Sequence, residues 1–159
     1  MKHDKGDNSS SNFLRLAKSE PPRPPTSVGD IMTNSVITLS PYHTFQEAVG
    51  LMANRPFRHF LVVEADGKLA GVISDRDLLR VLTRSPDRSK TNVGEVMTRE
   101  TVTVRPKTSL STAVGEMLQH RINCLPVVDE RGKVCGIVTS TDLLDAFQKL
   151  QACLERVTK

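Results

Sequence analysis

Two short stretches of the 159-residue chain set the same reactive groups at the same spacing: Ser74-x-x-Asp77 within GVISDRDLL (71–79), and Thr139-x-x-Asp142 within GIVTSTDLL (136–144). In each, a run of strand-forming residues gives way to a hydroxyl side chain, two polar residues, an aspartate and the apolar start of a helix. A strand-to-helix corner of this kind gathers a hydroxyl, free backbone N–H groups and a carboxylate in one small region. That set of donors and acceptors can hold a ribose and phosphates. It lacks what catalysis needs: GxSxG, HExxH, GxGxxG and CxxC are all absent, so neither a nucleophile nor a metal site can be nominated. Cys124, Cys135 and Cys153 form no paired spacing and read as reduced thiols.

The two stretches lie 65 residues apart, and that offset superposes residues 28–79 on 93–144 without a gap. The chain is therefore a duplication, and the same elements must position both corners. VGDIMT (28–33) and VGEVMT (93–98) read as single turns leading into a first strand, VITL (36–39) or TVTV (101–104), which Pro41 and Pro106 end at matching places. Thr44-x-x-Glu47 and Ser109 are N-caps, the first of them a capping box. The helices they open carry Phe45, Ala48, Val49 and Met52, or Leu110, Ala113, Val114 and Met117, at i, i+3, i+4 and i+7. HFLVVE (59–64) and LAGVIS (69–74), like CLPVVD (124–129) and VCGIVT (134–139), read as hairpins turning at Asp66-Gly67 and Arg131-Gly132. A last helix starts near Asp77 or Asp142, and the second copy runs on through Phe147, Leu150 and Leu154.

Each half is thus β-α-β-β-α in a mixed α+β fold, and about 52 residues bury too little surface to stand alone. The expected divisions are a mobile arm (1–27, holding PPRPP and a short apolar turn at Phe13, Leu14 and Leu16), repeat 1 (28–84), a linker (85–92) and repeat 2 (93–159). Two half-domains sharing a core put the functional groove between them. Composition is that of a soluble globular protein, 38% apolar and 25% charged, with no apolar run long enough for a membrane span and no secretory core near Met1. A cytoplasmic location is the expectation. Net charge is only +4, and Arg80, Arg84, Arg88 and Lys90 form a local basic run that reads as a solvated linker sooner than a nucleic-acid contact.

The element order, the duplication, and the LPVVD…GIVTxxDLL run at 124–144 with its weaker twin at 59–79 resemble the cystathionine-β-synthase (CBS) domain in tandem, related by a pseudo-two-fold axis. The resemblance points to a stand-alone bacterial-type regulatory module with no catalysis of its own, often a homodimer. It implies binding of AMP, ADP or ATP, and sometimes S-adenosylmethionine, in the cleft between repeats, with a partner protein reading the bound state. Carried over, the ribose-binding aspartate falls on Asp77 and Asp142. The hydroxyls near phosphate or ribose fall on Thr139 and Thr141 and on Ser74, with Arg76 in place of the second hydroxyl. The adenine contacts fall on Ile37 and Phe57 and on Val102 and Ile122, and the phosphate-facing positions on Arg58 and His59 and on Asn123 and Cys124.

Because the aspartate of one repeat generally works with the adenine residues of the other, one expected site combines Asp142, Thr139 and Thr141 with Ile37, Phe57, Arg58 and His59. The other combines Asp77, Ser74 and Arg76 with Val102, Ile122, Asn123 and Cys124. The first is preferred, for its two hydroxyls, its permanent cation and its histidine; the second carries an extra carboxylate, Asp75. Leu61 stands where the second copy has the usual Pro126.

Plainer readings stand beside these. Asp77 and Asp142 could serve only to stabilise helix N-termini, Thr139 and Thr141 could be caps, His59 a satisfied strand residue and Arg58 a solvated one. Competing functions are a ligand-free dimerisation scaffold working through Leu150 and Leu154, and nucleic-acid binding through the basic run.

Overall fold

A computed structural model of the chain describes residues 23–84 and 90–157. The expected arm up to residue 22, with Phe13, Leu14 and Leu16, and linker residues 85–89 lie outside the described residues. Short continuous apolar runs, buried on both faces, form the two hairpins, β2 (His59–Val63) with β3 (Leu69–Ser74) and β4 (Cys124–Val128) with β5 (Val134–Thr139). Their registers are equivalent, His59 opposite Ser74 and Cys124 opposite Thr139. The turns use Gly67 and Gly132 at φ +84° and +77°, values a side chain disfavours.

The expected first strand is shorter than its apolar pattern. In repeat 1 only β1 (Thr38–Leu39) pairs, parallel to β2. In repeat 2 only Val104 pairs, by a parallel bridge to Val127, because the chain leaves the hairpin upstream, where Thr101 and Val102 line a cavity.

Helix α1 (Phe45–Ala53) begins at the Thr44–Glu47 capping box, the Glu47 N–H donating to Thr44 Oγ1 at 3.2 Å and the Thr44 N–H to Glu47 Oε2 at 2.7 Å. Helix α2 (Asp75–Arg84) follows β3 directly, two residues before the expected start near Asp77. The short α3 (Val93–Val96) opens repeat 2 and is matched by a 3-10 turn at Val28–Asp30. Helix α4 (Leu110–His120) is capped by Ser109, whose hydroxyl accepts from the Thr112 N–H at 3.1 Å, and α5 (Ser140–Val157) follows β5.

The entry turns do not stay with the repeats they introduce. The Val28 and Gly29 N–H groups donate to Thr108 O and Pro106 O, both at 2.8 Å, while Thr33 pairs with Ile137 through bonds of 2.9 and 3.0 Å. The mirror set runs the other way: Val93 and Gly94 donate to His43 O (2.8 Å) and Pro41 O (2.9 Å), and Thr98 pairs with Val72. The interior comprises a cluster shared between the two sheets, as expected, and two further cores that the entry turns cross. Val28 packs with Val104, Met117, Leu125 and Val138 of repeat 2, whereas Val93 and Met97 pack with Leu39, Phe45, Phe60 and Ile73 of repeat 1. Leu61, Val72, Cys124 and Ile137 form a third cluster between the sheets.

The fold is mixed α+β, two β-α-β-β-α repeats. Among the described residues no helix is long and apolar enough to cross a membrane.

Candidate functional site

The two corners are built alike. Asp77 Oδ2 accepts from the Ser74 N–H (2.9 Å) and the Ser74 hydroxyl (2.7 Å), and the Asp77 N–H donates back to Ser74 Oγ (3.2 Å). Asp142 Oδ2 accepts from the Thr139 N–H and hydroxyl, both at 2.7 Å, and its own N–H reaches Thr139 Oγ1 at 3.4 Å. Each pair is a capping box that ties a strand end to a helix start, so the capping role is real. It occupies one carboxylate oxygen and leaves the other. Asp77 Oδ1 accepts from Arg80 Nη1 at 3.3 Å, while Asp142 Oδ1 accepts nothing from the described residues.

The helix starts differ in their donors. At α2 the Asp75 N–H donates to Arg58 O (3.0 Å) and the Arg76 N–H to the Asp75 side chain (2.7 Å). At α5 the Ser140 N–H donates to Asn123 O (2.9 Å), and there is no side chain like that of Asp75, since Ser140 stands at the equivalent position.

A cavity of about 410 Å³ opens at the Asp77 corner. Ser74, Arg76 and Asp77 form one wall; Val102, Ile122, Asn123 and Cys124, from the other repeat, form the facing one. These seven are the set the sequence groups together. The same cavity is lined by Arg58 and His59, which the sequence reading gives to the Asp142 groove. They turn this way because β2 pairs with β3, which sets His59 beside Ser74. Of the remaining Asp142 set, Thr139 and Asp142 are bonded as described and Thr141 is exposed at the start of α5. Ile37 is 36% exposed, and Phe57 is half-buried with its ring edge-on to Phe60, centroids 5.1 Å apart.

Arg80, Arg121, His120 and Glu100 also line the cavity and were not singled out as site residues by the sequence. For Arg80 the signal was available, since i+3 from Asp77 is the same helix face. Arg121 carried none, because it reaches the cavity through a left-handed backbone (φ 54°, ψ 43°) that ends α4.

Four arginines, Arg58, Arg76, Arg80 and Arg121, therefore line the space with Asp75, Asp77 and Glu100. Arg58 lies 4.0 Å from Asp75, an open, exposed pair of little energetic weight. Burial pushes the His59 imidazole below its ordinary pKa; Asp75 and Asp77 oppose that shift and Arg58 adds to it. His59 is thus neutral at pH 7 and poised to take a proton if an anion arrives. Burial also drives the Cys124 thiol up to about 12, which makes it part of the wall and not a nucleophile. No cluster of three or more His, Cys, Asp or Glu residues suited to a metal ion occurs among the described residues.

The sequence matches the CBS domain family over residues 28–84 and again over 93–149. It is 42% identical over 118 residues to the CBS domain-containing protein YhcV of Bacillus subtilis, covering 74% of this chain and 83% of that one. Among solved structures it is similar to the CBS domain pair of protein MJ0100 in complex with 5′-methylthioadenosine and S-adenosyl-L-methionine, with a TM-score of 0.71 at 30% identity over 78% of this chain and 97% of that one. It is also similar to CBSX2 in complex with AMP, with a TM-score of 0.71 at 28% identity over 80% of this chain and 99% of that one. Several other relatives are longer chains, of which it spans only 23%. Duplication, crossed entry turns and paired Ser/Thr-x-x-Asp corners thus carry a family match over both halves: the chain belongs to the CBS domain family, as a tandem pair of regulatory, non-catalytic repeats.

Proposed function

We propose that the pair senses an adenine nucleotide, AMP, ADP or ATP, held in the cavity at the Asp77 corner, and passes the bound state to a partner protein. The observation that carries this reading is the cavity itself. Its volume suits a small ligand, two repeats contribute its walls, and it offers a carboxylate for the sugar hydroxyls, apolar Val102 and Ile122 for the base, and guanidiniums for phosphate. The adenosine-bearing ligands of the MJ0100 pair and of CBSX2 support the same class, and S-adenosylmethionine stays within it. The preference inferred from sequence for the Asp142 groove is therefore reversed here: Asp142 keeps an open Oδ1 and serves as the second position, while Arg58 and His59 act at Asp77. The ligand is regulatory; it ties the repeats together and, through its unequal affinity for two arrangements, selects one.

Thermal melts with adenosine, AMP, ADP, ATP and S-adenosylmethionine test this. Ligand at 100 times its dissociation constant stabilises the fold by about 2.7 kcal/mol. Asp77→Asn, which keeps a capping oxygen but loses the charge, is expected to weaken binding at least tenfold. No shift with any of the five at millimolar concentration rejects the sensor reading.

A homodimer is part of the proposal, because the contacting helices α4 and α5 leave Leu118, Leu144 and Phe147 exposed by 75%, 68% and 58%. Phe147→Glu is expected to yield a monomer in sedimentation equilibrium at concentrations where the wild-type chain is dimeric.

A further inference from the structure

We infer that the Asp77 cavity reads phosphate number, favouring an adenine nucleotide with two or three phosphates, and that Arg121 sets this preference. The inference rests on nucleotide binding at this corner. The duplication supplies an internal comparison. Both corners keep the hydroxyl and the aspartate, yet where the cavity has Arg76, Arg80 and Arg121, the equivalent positions 65 residues away hold Thr141, Asp145 and Pro56. The sugar-holding parts are duplicated and the cations are not. A difference confined to positive charge around a common carboxylate matters to a ligand in proportion to its own negative charge.

Arg121 stands out among the cations. Arg80 is held by Asp77 at 3.3 Å and Arg58 lies near Asp75, whereas Arg76 and Arg121 make no ion pair with the described residues. Of these two only Arg121 has a positive φ, and it is the one non-glycine with that conformation among the described residues. The helix end needs only a left-handed residue there, whose N–H caps Met117 O while the Ile122 N–H donates to the same oxygen at 3.0 Å. Glycine or asparagine meets that need with less steric conflict. Repeat 1 ends its helix without the device, at Asn54 with φ −102°, and places Pro56 where Arg121 stands. The strained arginine is thus superfluous for capping, and the residue lines the cavity.

Isothermal titration of the full chain with adenosine, AMP and ATP at fixed ionic strength tests the assignment. Wild-type protein is expected to bind ATP at least tenfold more tightly than AMP. Arg121→Gly is expected to lower ATP affinity about tenfold, equivalent to about 1.4 kcal/mol, while leaving adenosine within twofold. Arg121→Asn, which also tolerates the left-handed region, is expected to behave the same way. The melting temperatures of both variants show whether folding has been spared. If wild-type protein binds ATP and AMP equally, or the variants leave ATP affinity unchanged, phosphate counting by Arg121 is overturned and nucleotide binding stands. If neither adenosine nor any nucleotide binds the wild type, both ideas fall together.

Discussion

Of the two imidazoles that line the cavity, His59 and His120, the half-buried His59 reports on it. His59 is held below its ordinary pKa chiefly by burial, so the unfolded chain binds a proton there more readily than the folded one. Stability contributed by the neutral ring is complete above pH 6.5 and is lost as pH falls through that value toward the lower folded pKa. The melting temperature is therefore expected to drop as pH is lowered from 7.5 into the region just below 6.5, before the carboxylates titrate. His59→Asn should flatten that limb of the curve; an unchanged limb assigns it elsewhere. Bound phosphate reverses the local balance and favours the protonated ring, so nucleotide binding should be accompanied by proton uptake near pH 6.5, measurable in buffers of different ionisation enthalpy. At this scale the sequence was legible where chemistry repeats. Ser74, Asp77, Thr139 and Asp142 were visible because each appears twice. Arg121 was invisible because its role depends on one backbone angle that no residue type announces.

Helices and strands were read from period and punctuation. The hairpins came out at their expected places because two short apolar runs joined by an Asp-Gly or Arg-Gly turn fix the pairing locally. The first strands did not, because a short parallel edge depends on how the chain approaches from elsewhere. Glycines separate local from distant constraint. A Cβ on Gly136 would lie 2.9 Å from both Thr33 O and Met32 Sδ, and one on Gly71 would lie 2.6 Å from Thr98 O. These strands accept a crossing backbone only because the side chain is missing. Gly136→Ala and Gly71→Ala are each expected to cost about 2 kcal/mol or more in chemical denaturation. Gly115, inside α4, meets nothing within 4 Å. Gly115→Ala should instead stabilise by about 0.5–1 kcal/mol. If the strand and helix substitutions behave alike, the close approach of the entry turns is wrong.

For the molecule as a whole, each core contains residues from both halves of the sequence. Val28 is fully buried in the second core although it opens the first repeat, and Val28→Ala, losing two buried methyl groups, is expected to cost about 1.5–2 kcal/mol. The two halves should then unfold in one transition when followed by circular dichroism and by a probe placed in either repeat; separate midpoints would contradict the crossed arrangement. This crossing was not legible, since a turn pattern such as VGDIMT states that it is a turn and not which surface receives it. It also bears on how such a chain could arise. An ancestral polypeptide carrying one unit, lending its arm to a second molecule and receiving one in return, would have possessed both interiors already. Joining the tail of one such unit to the head of the other would then yield this chain. Released from identity, one pocket could gather arginines while its sibling did not. A chain nicked between Arg84 and Lys90 should accordingly travel through a native sizing column as a single species.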